Sequence, residues 1–184
     1  MLIECCFFMY ISDMSSLIDY KGKSPKIGER VFLAEGARII GDVEIGDDSS
    51  VFYNAVLRAD LAEIRIGRRS NIQDNVTVHL STDVGVHIGD DVIVGHNAVL
   101  HACTIDDRVL VGMGAIIMDG AHIKSDCIVG AGALVTQDKE FPERTLIVGS
   151  PAHVVRELSE TEIRKAHENA EHYLVIKDEL LKKG

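Results

Sequence analysis

At 184 residues, with 46% hydrophobic and 26% charged side chains, the chain has the composition of a soluble globular protein and the length of one domain. A formal charge of −10 repels phosphate backbones and anionic lipid, and no basic patch offsets it, so nucleic-acid and membrane-surface roles are excluded.

In chain order, the first segment is apolar from Leu2 to Ile11. It is too short to span a bilayer, carries Glu4, and lacks both a basic lead and a small-residue cleavage site. It reads as an N-terminal extension over residues 1–19, with Met14 a plausible alternative start, because organised sequence begins around Tyr20. Cys5 and Cys6 are adjacent and Cys103 and Cys127 lie far apart, which is the spacing of neither a disulfide framework nor a zinc knuckle. A reducing, cytoplasmic location follows as the expectation.

From Ile27 a period of six governs the chain. Every sixth residue is aliphatic: Leu33, Ile39, Ile45, Val51 and Leu57, then after a slip Ile66, Ile72 and Val78. A second slip leads to Ile88, Val94 and Leu100, and a third to Ile105, Val111, Ile117, Ile123, Val129 and Val135. All eighteen positions are Ile, Leu or Val. Such a column predicts a parallel β-helix of hexapeptide repeats over residues 20–152, in which short strands turn corners and point one aliphatic residue each into a prism. Three hexads make a coil, and four successive coils open with the same pair, Ile27-Gly28, Ile45-Gly46, Ile66-Gly67 and Ile88-Gly89. Glycine there suits a tight approach or a corner with positive φ.

The pattern fades after Val135, and Gly149-Ser150-Pro151-Ala152 makes a turn out of the repeat. Ser159 with Glu162 forms a capping-box signature, and Ile163, Ala166, Ala170, Tyr173, Leu174, Leu180 and Leu181 follow at roughly helical spacing. Residues 153–184 are therefore predicted to form a C-terminal helix packed on one flank of the prism.

Placing the histidines by coil and hexad gives geometry. His79 follows Val78 and His101 follows Leu100, so both hold the second position of the third hexad in consecutive coils and are stacked. Rungs about 4.8 Å apart allow two imidazoles to reach one ion. His96 holds the third position of the second hexad and lies on another face, so the three meet only if a second subunit supplies one of them, as in a cyclic trimer. An outward polar ladder is the plainer alternative. His87, His122, His153, His167 and His172 are read as ordinary surface or core residues.

The segments Val56-Leu57-Arg58-Ala59-Asp60, Asn71-Ile72-Gln73-Asp74 with His79, and Gly95 to Ile105 carry a further signal. Through them the chain, from about Tyr20 to Lys183, resembles the γ-class carbonic anhydrases, and more closely their bacterial carbonic-anhydrase-like, ferripyochelin-binding-like branch. The resemblance implies a left-handed β-helix, a homotrimer, and zinc, or another divalent ion such as iron or cobalt, held by His79, His96 and His101 at each interface. It implies hydration of CO2 to bicarbonate by zinc hydroxide, with Gln73 hydrogen-bonding the hydroxide and Asp74 fixing Arg58. Arg58 and Asp60 would pair across the interface, Asn71 would belong to the same polar group, and Tyr173 would stand near the pocket. The family's prototype carries acidic proton shuttles after the Arg-Asp pair and after the first histidine. Here the corresponding stretches are Asp60-Leu61-Ala62-Glu63 and His79-Leu80-Ser81-Thr82-Asp83. Glu63 or Asp83 would have to substitute, which leaves turnover low, buffer-dependent or absent.

Two other functions fit the fold. A CoA-dependent acyltransferase, or a related thioesterase, would need one histidine base and the Gly149 to Ala152 exit turn; a non-catalytic metal-binding subunit would need only the ligands.

Overall fold

The computed structural model describes residues 16–183, and the apolar stretch Leu2–Ile11, Met14, Cys5 and Cys6 lie outside them. The chain is a left-handed parallel β-helix of about seven turns with one C-terminal helix. Of the eighteen periodic aliphatics, all but Ile27, in the first coil, are buried, most of them to 0–3% exposure. Smaller residues fill the prism between them, Ala37, Ala55, Val76, Ala98, Ala115 and Ala133 forming one inward column just before a strand.

Three flat faces result. One is an eight-stranded sheet running from Phe32–Leu33 through Ser50–Val51, Asn71–Ile72 and Ile93–Val94 to Thr145–Gly149 and Ala152–Glu157. The other two form a single twelve-stranded sheet, because the long strands Arg38–Ile45 and Val56–Ile66 run unbroken around the corner between them. Neighbouring rungs are parallel and in register, Leu57 beside Val78 and Val78 beside Leu100.

The glycines of the repeated pair serve the tight approach. A Cβ on Gly46 would lie 2.7 Å from the carbonyl carbon of Gly67, and one on Gly67 2.5 Å from that of Gly89. Positive φ falls two residues later, on Arg30, Asp48, Arg69, Asp91, Arg108, Asp126 and Arg144, each between 53° and 60°. That corner is a ladder of alternating charge. Arg69 donates two hydrogen bonds to Asp91 at 2.7 and 2.6 Å, Arg108 two to Asp126 at 2.9 and 3.0 Å, and Arg30 pairs with Asp48.

The helix α1 (Glu160–Lys183) runs down this ladder over the eight-stranded face. Glu160 pairs with Arg144, His167 donates to Asp126 at 3.0 Å, and Lys177, 1% exposed, donates to Asp48 at 3.0 Å. Seventeen helical residues span about 25 Å, and the five coil steps from Arg144 to Asp48 span about 24 Å at 4.8 Å each, so helix and stack match in length. Ser159 caps it as its sequence announces: its N–H donates to Glu162 at 3.0 Å, and its hydroxyl lies 3.4 Å from the Glu162 N–H. Two boundaries differ from expectation. Leu17–Ile18, assigned to the extension, already pairs with Ile39–Ile40. The segment before Glu160, assigned to the helix, is the strand Ala152–Glu157, held antiparallel to Thr145–Gly149 by the hairpin at Pro151.

Candidate metal centre

The three slips in the period all fall at one corner, after Leu57, Val78 and Leu100, and this is the corner that carries His79 and His101. The first two slips add residues there, which push out the Asp60–Glu63 bend and the Ser81–Val84 turn, and the third drops one, all without disturbing the stack. His79 and His101 are partners in register, and His79 Nδ1 lies 3.2 Å from His101 Nε2. Arg58 occupies the same column one coil below.

The outer nitrogen of each ring is held by a carboxylate. His79 Nε2–H donates to Asp60 at 3.0 Å, and His101 Nδ1–H donates to Asp119 at 2.6 Å. With both outer nitrogens so engaged, the two facing nitrogens are the ones left to share a cation, a proton or a metal ion, between them. Two imidazole nitrogens on one tetrahedral zinc at about 2.0–2.1 Å lie roughly 3.3 Å apart, so the donor pair fits the ion. Burial opposes ionisation of Asp60, but the hydrogen bond from His79 and the Arg58 guanidinium outweigh it and hold the carboxyl below its usual range. Asp119 behaves alike: burial opposes, and the hydrogen bond and charge of His101 prevail.

His96 stands at the preceding corner, in the column Tyr53–Asp74–His96–Met113. Its Nδ1 is 2.7 Å from Asp74, so Nε2 is its remaining ring nitrogen. Gln73 accepts the His96 backbone N–H at 3.1 Å, and Asp74 accepts that of Tyr53 at 3.2 Å. Asn71 is 2% exposed, donates to Ser50 at 2.7 Å, and keeps its Oδ1 buried without a partner among the described residues. Tyr173 stacks edge-on against Phe52, ring centroids 6.1 Å apart, on the same side as His96.

The expected residues thus divide into two groups. Arg58, Asp60, His79 and His101 share one corner, and Asn71, Gln73, Asp74, His96 and Tyr173 cluster about the other. Among the described residues no three metal-binding side chains of one chain converge. Within one chain Asp74 holds His96, the corners being a full strand apart, and Arg58 pairs with Asp60 two residues along the same extended strand. Asp119 was missed by sequence reasoning. It sits one coil above His101 and one residue past that column, an offset that the stacking of Met118 over His101 makes readable.

The fold and this histidine–carboxylate corner define a hexapeptide-repeat solenoid with a candidate metal centre. The family described as Bacterial transferase hexapeptide (six repeats) matches residues 102–137, and Hexapeptide repeat of succinyl-transferase matches residues 63–102. The chain is 53% identical over 154 residues to a Methanocaldococcus jannaschii protein named "Probable carbonic anhydrase", covering 84% of this chain and 97% of that one. It is 40% identical over 171 residues to Gamma carbonic anhydrase 2, mitochondrial, of Arabidopsis thaliana, covering 90% of this chain but only 62% of the plant protein's length. A hexapeptide transferase family protein from Anaplasma phagocytophilum superimposes with a TM-score of 0.86 at 40% identity, over 89% of this chain and 97% of that one. The chain belongs to the γ-class carbonic-anhydrase-like family of hexapeptide-repeat proteins.

Proposed function

We propose that the chain assembles as a homotrimer that hydrates CO2 to bicarbonate at a divalent metal, zinc, iron or cobalt, held by His79 and His101 of one subunit and His96 of the next. One observation carries the reading: each of these histidines has one ring nitrogen held by its own carboxylate, and the other two-ring contact leaves 3.2 Å between donor nitrogens.

The face between the two histidine corners supports the assembly. Its outward residues are Val56, Thr77, Val99, Ile116 and Leu134, and Ile116, Met113 and Tyr53 along it are 41%, 59% and 41% exposed. An apolar strip flanked at one edge by His96 and at the other by His79 and His101 suits a heterologous, ring-closing contact.

A bound divalent ion supplies Lewis acidity that brings the pKa of water toward neutrality. The chain's own residues do the rest. Asp60, Asp74 and Asp119 orient the imidazoles, and Arg58, paired with Asp60, sets a cation beside His79. Gln73, its oxygen engaged by the His96 backbone, keeps its amide N–H groups for an oxygen of the substrate. Proton export is the poorly equipped step. Leu61 stands 56% exposed where the resemblance calls for an acid, and Glu63 is drawn to His87, 3.5 Å away on the neighbouring face. Turnover therefore leans on dissolved buffer.

Acyl transfer is the competing reading, favoured by the transferase name of the Anaplasma structure. Metal analysis of anaerobically purified protein, with stopped-flow CO2 hydration set against acyl-CoA turnover, decides between them. Stoichiometric metal with hydration is expected, and acyl-CoA turnover without metal would sink the hydratase. A cytoplasmic location belongs to the same reading, supported by the free thiols of Cys103 and Cys127.

A further inference from the structure

We propose that Asp119 is a positioning residue that sets the tautomer of His101: by accepting the Nδ1 proton it leaves the Nε2 lone pair facing His79. The inference rests on the metal reading above but concerns atoms already in place. Asp119 Oδ1 is 2.6 Å from His101 Nδ1, the shortest of the histidine–carboxylate contacts among the described residues. Asp119 lies in the coil above, so its carboxylate fixes the second ligand from the next rung of the stack.

His101 has a side chain 35% exposed, and among the described residues its ring nitrogens meet only Asp119 and His79. Without Asp119 its ring is free to take the form with the proton on Nε2, which a free histidine side chain prefers. That form points a proton at His79 and closes the ligand position. Orienting carboxylates of this kind change metal affinity by about 10- to 100-fold when removed.

A second pair supplies the control. His122 Nε2 is 2.9 Å from Asp106 with similar exposure, yet it stands on the charged outer face away from His79 and His101. The experiment uses the full chain in its assembled state. Ring 15N resonances of the metal-free protein report the His101 tautomer, and competition with a chromogenic chelator reports Zn2+ affinity.

Wild type is expected to show His101 protonated on Nδ1. Asp119→Ala should move that proton toward Nε2 and weaken Zn2+ binding by about 10- to 100-fold. Asp119→Asn, which retains an acceptor oxygen, should keep the tautomer and most of the affinity, and Asp106→Ala should change neither. The proposal is overturned if wild-type His101 carries its proton on Nε2, if Asp119→Ala leaves tautomer and affinity unchanged, or if Asp106→Ala weakens Zn2+ equally. Failure of wild type to take up Zn2+ would instead overturn the metal reading, and the ring resonances would then decide the role of Asp119 alone.

Discussion

Asp48 receives cations from both ends of the chain, Arg30 from the coil below and the buried Lys177 from α1. The Arg30 hydrogen bond leads, burial opposes it, Lys177 adds to it, and the carboxyl falls from 3.8 to about 2. A depressed folded-state pKa contributes stability that is complete above the unfolded value and is lost as pH falls through the folded one. Urea melts between pH 5 and 2 should show that loss between about pH 4 and pH 2, and Asp48→Asn should flatten it. Cys103 makes the opposite case. Burial pushes its thiol up to about 12, so the thiolate fraction at pH 8 is on the order of 10−4. Peptide mapping after brief iodoacetamide treatment should find Cys103 unmodified until the chain is unfolded; rapid labelling of the native protein would contradict its burial.

Among elements, the stacked glycines and the helix cap make separable contributions. Gly67→Ala forces a methyl against the backbone of Gly89, which must shift, and a loss of about 1–3 kcal/mol is expected from overpacking. Gly114→Ala meets open space and faces only the left-handed backbone penalty of about 1–2 kcal/mol. Ser159→Ala should cost about 1 kcal/mol by removing the α1 cap. Equilibrium denaturation ranks the three. Much of this level was readable beforehand. The six-residue column announced the strands, and the slips at Leu57, Val78 and Leu100 announced the corner that bulges. The charge ladder was not readable, because Arg69 and Asp91, or Arg108 and Asp126, stand 22 and 18 residues apart at spacings that the slips alter. The strand Ala152–Glu157 was hidden for a related reason. It pairs antiparallel through a hairpin and follows no hexad.

For the whole molecule, the histidine stack was legible and its surroundings were not. Counting hexads places His79 over His101 and sends His96 to another corner, but it cannot assign Asp60, Asp74 and Asp119 to their rings, since those contacts depend on side-chain reach. On the proposed assembly, His96→Ala is expected to abolish stoichiometric metal binding while the oligomer stays folded, checked by metal analysis of the sized species. Retained metal would sink the three-histidine site. If the proposed hydration occurs, its rate should rise steeply with buffer concentration, and Leu61→Glu should lessen that dependence.

A stack whose coils touch only their neighbours ordinarily frays from its ends, each coil melting nearly on its own account. Here α1 grips the seventh turn through Arg144 and the second through Asp48, so loosening the first coils also frees the cover of the last. The two ends of the solenoid are thus made aware of each other, and the protein should melt in one sharp transition, where a chain ending at Leu158 would unravel gradually.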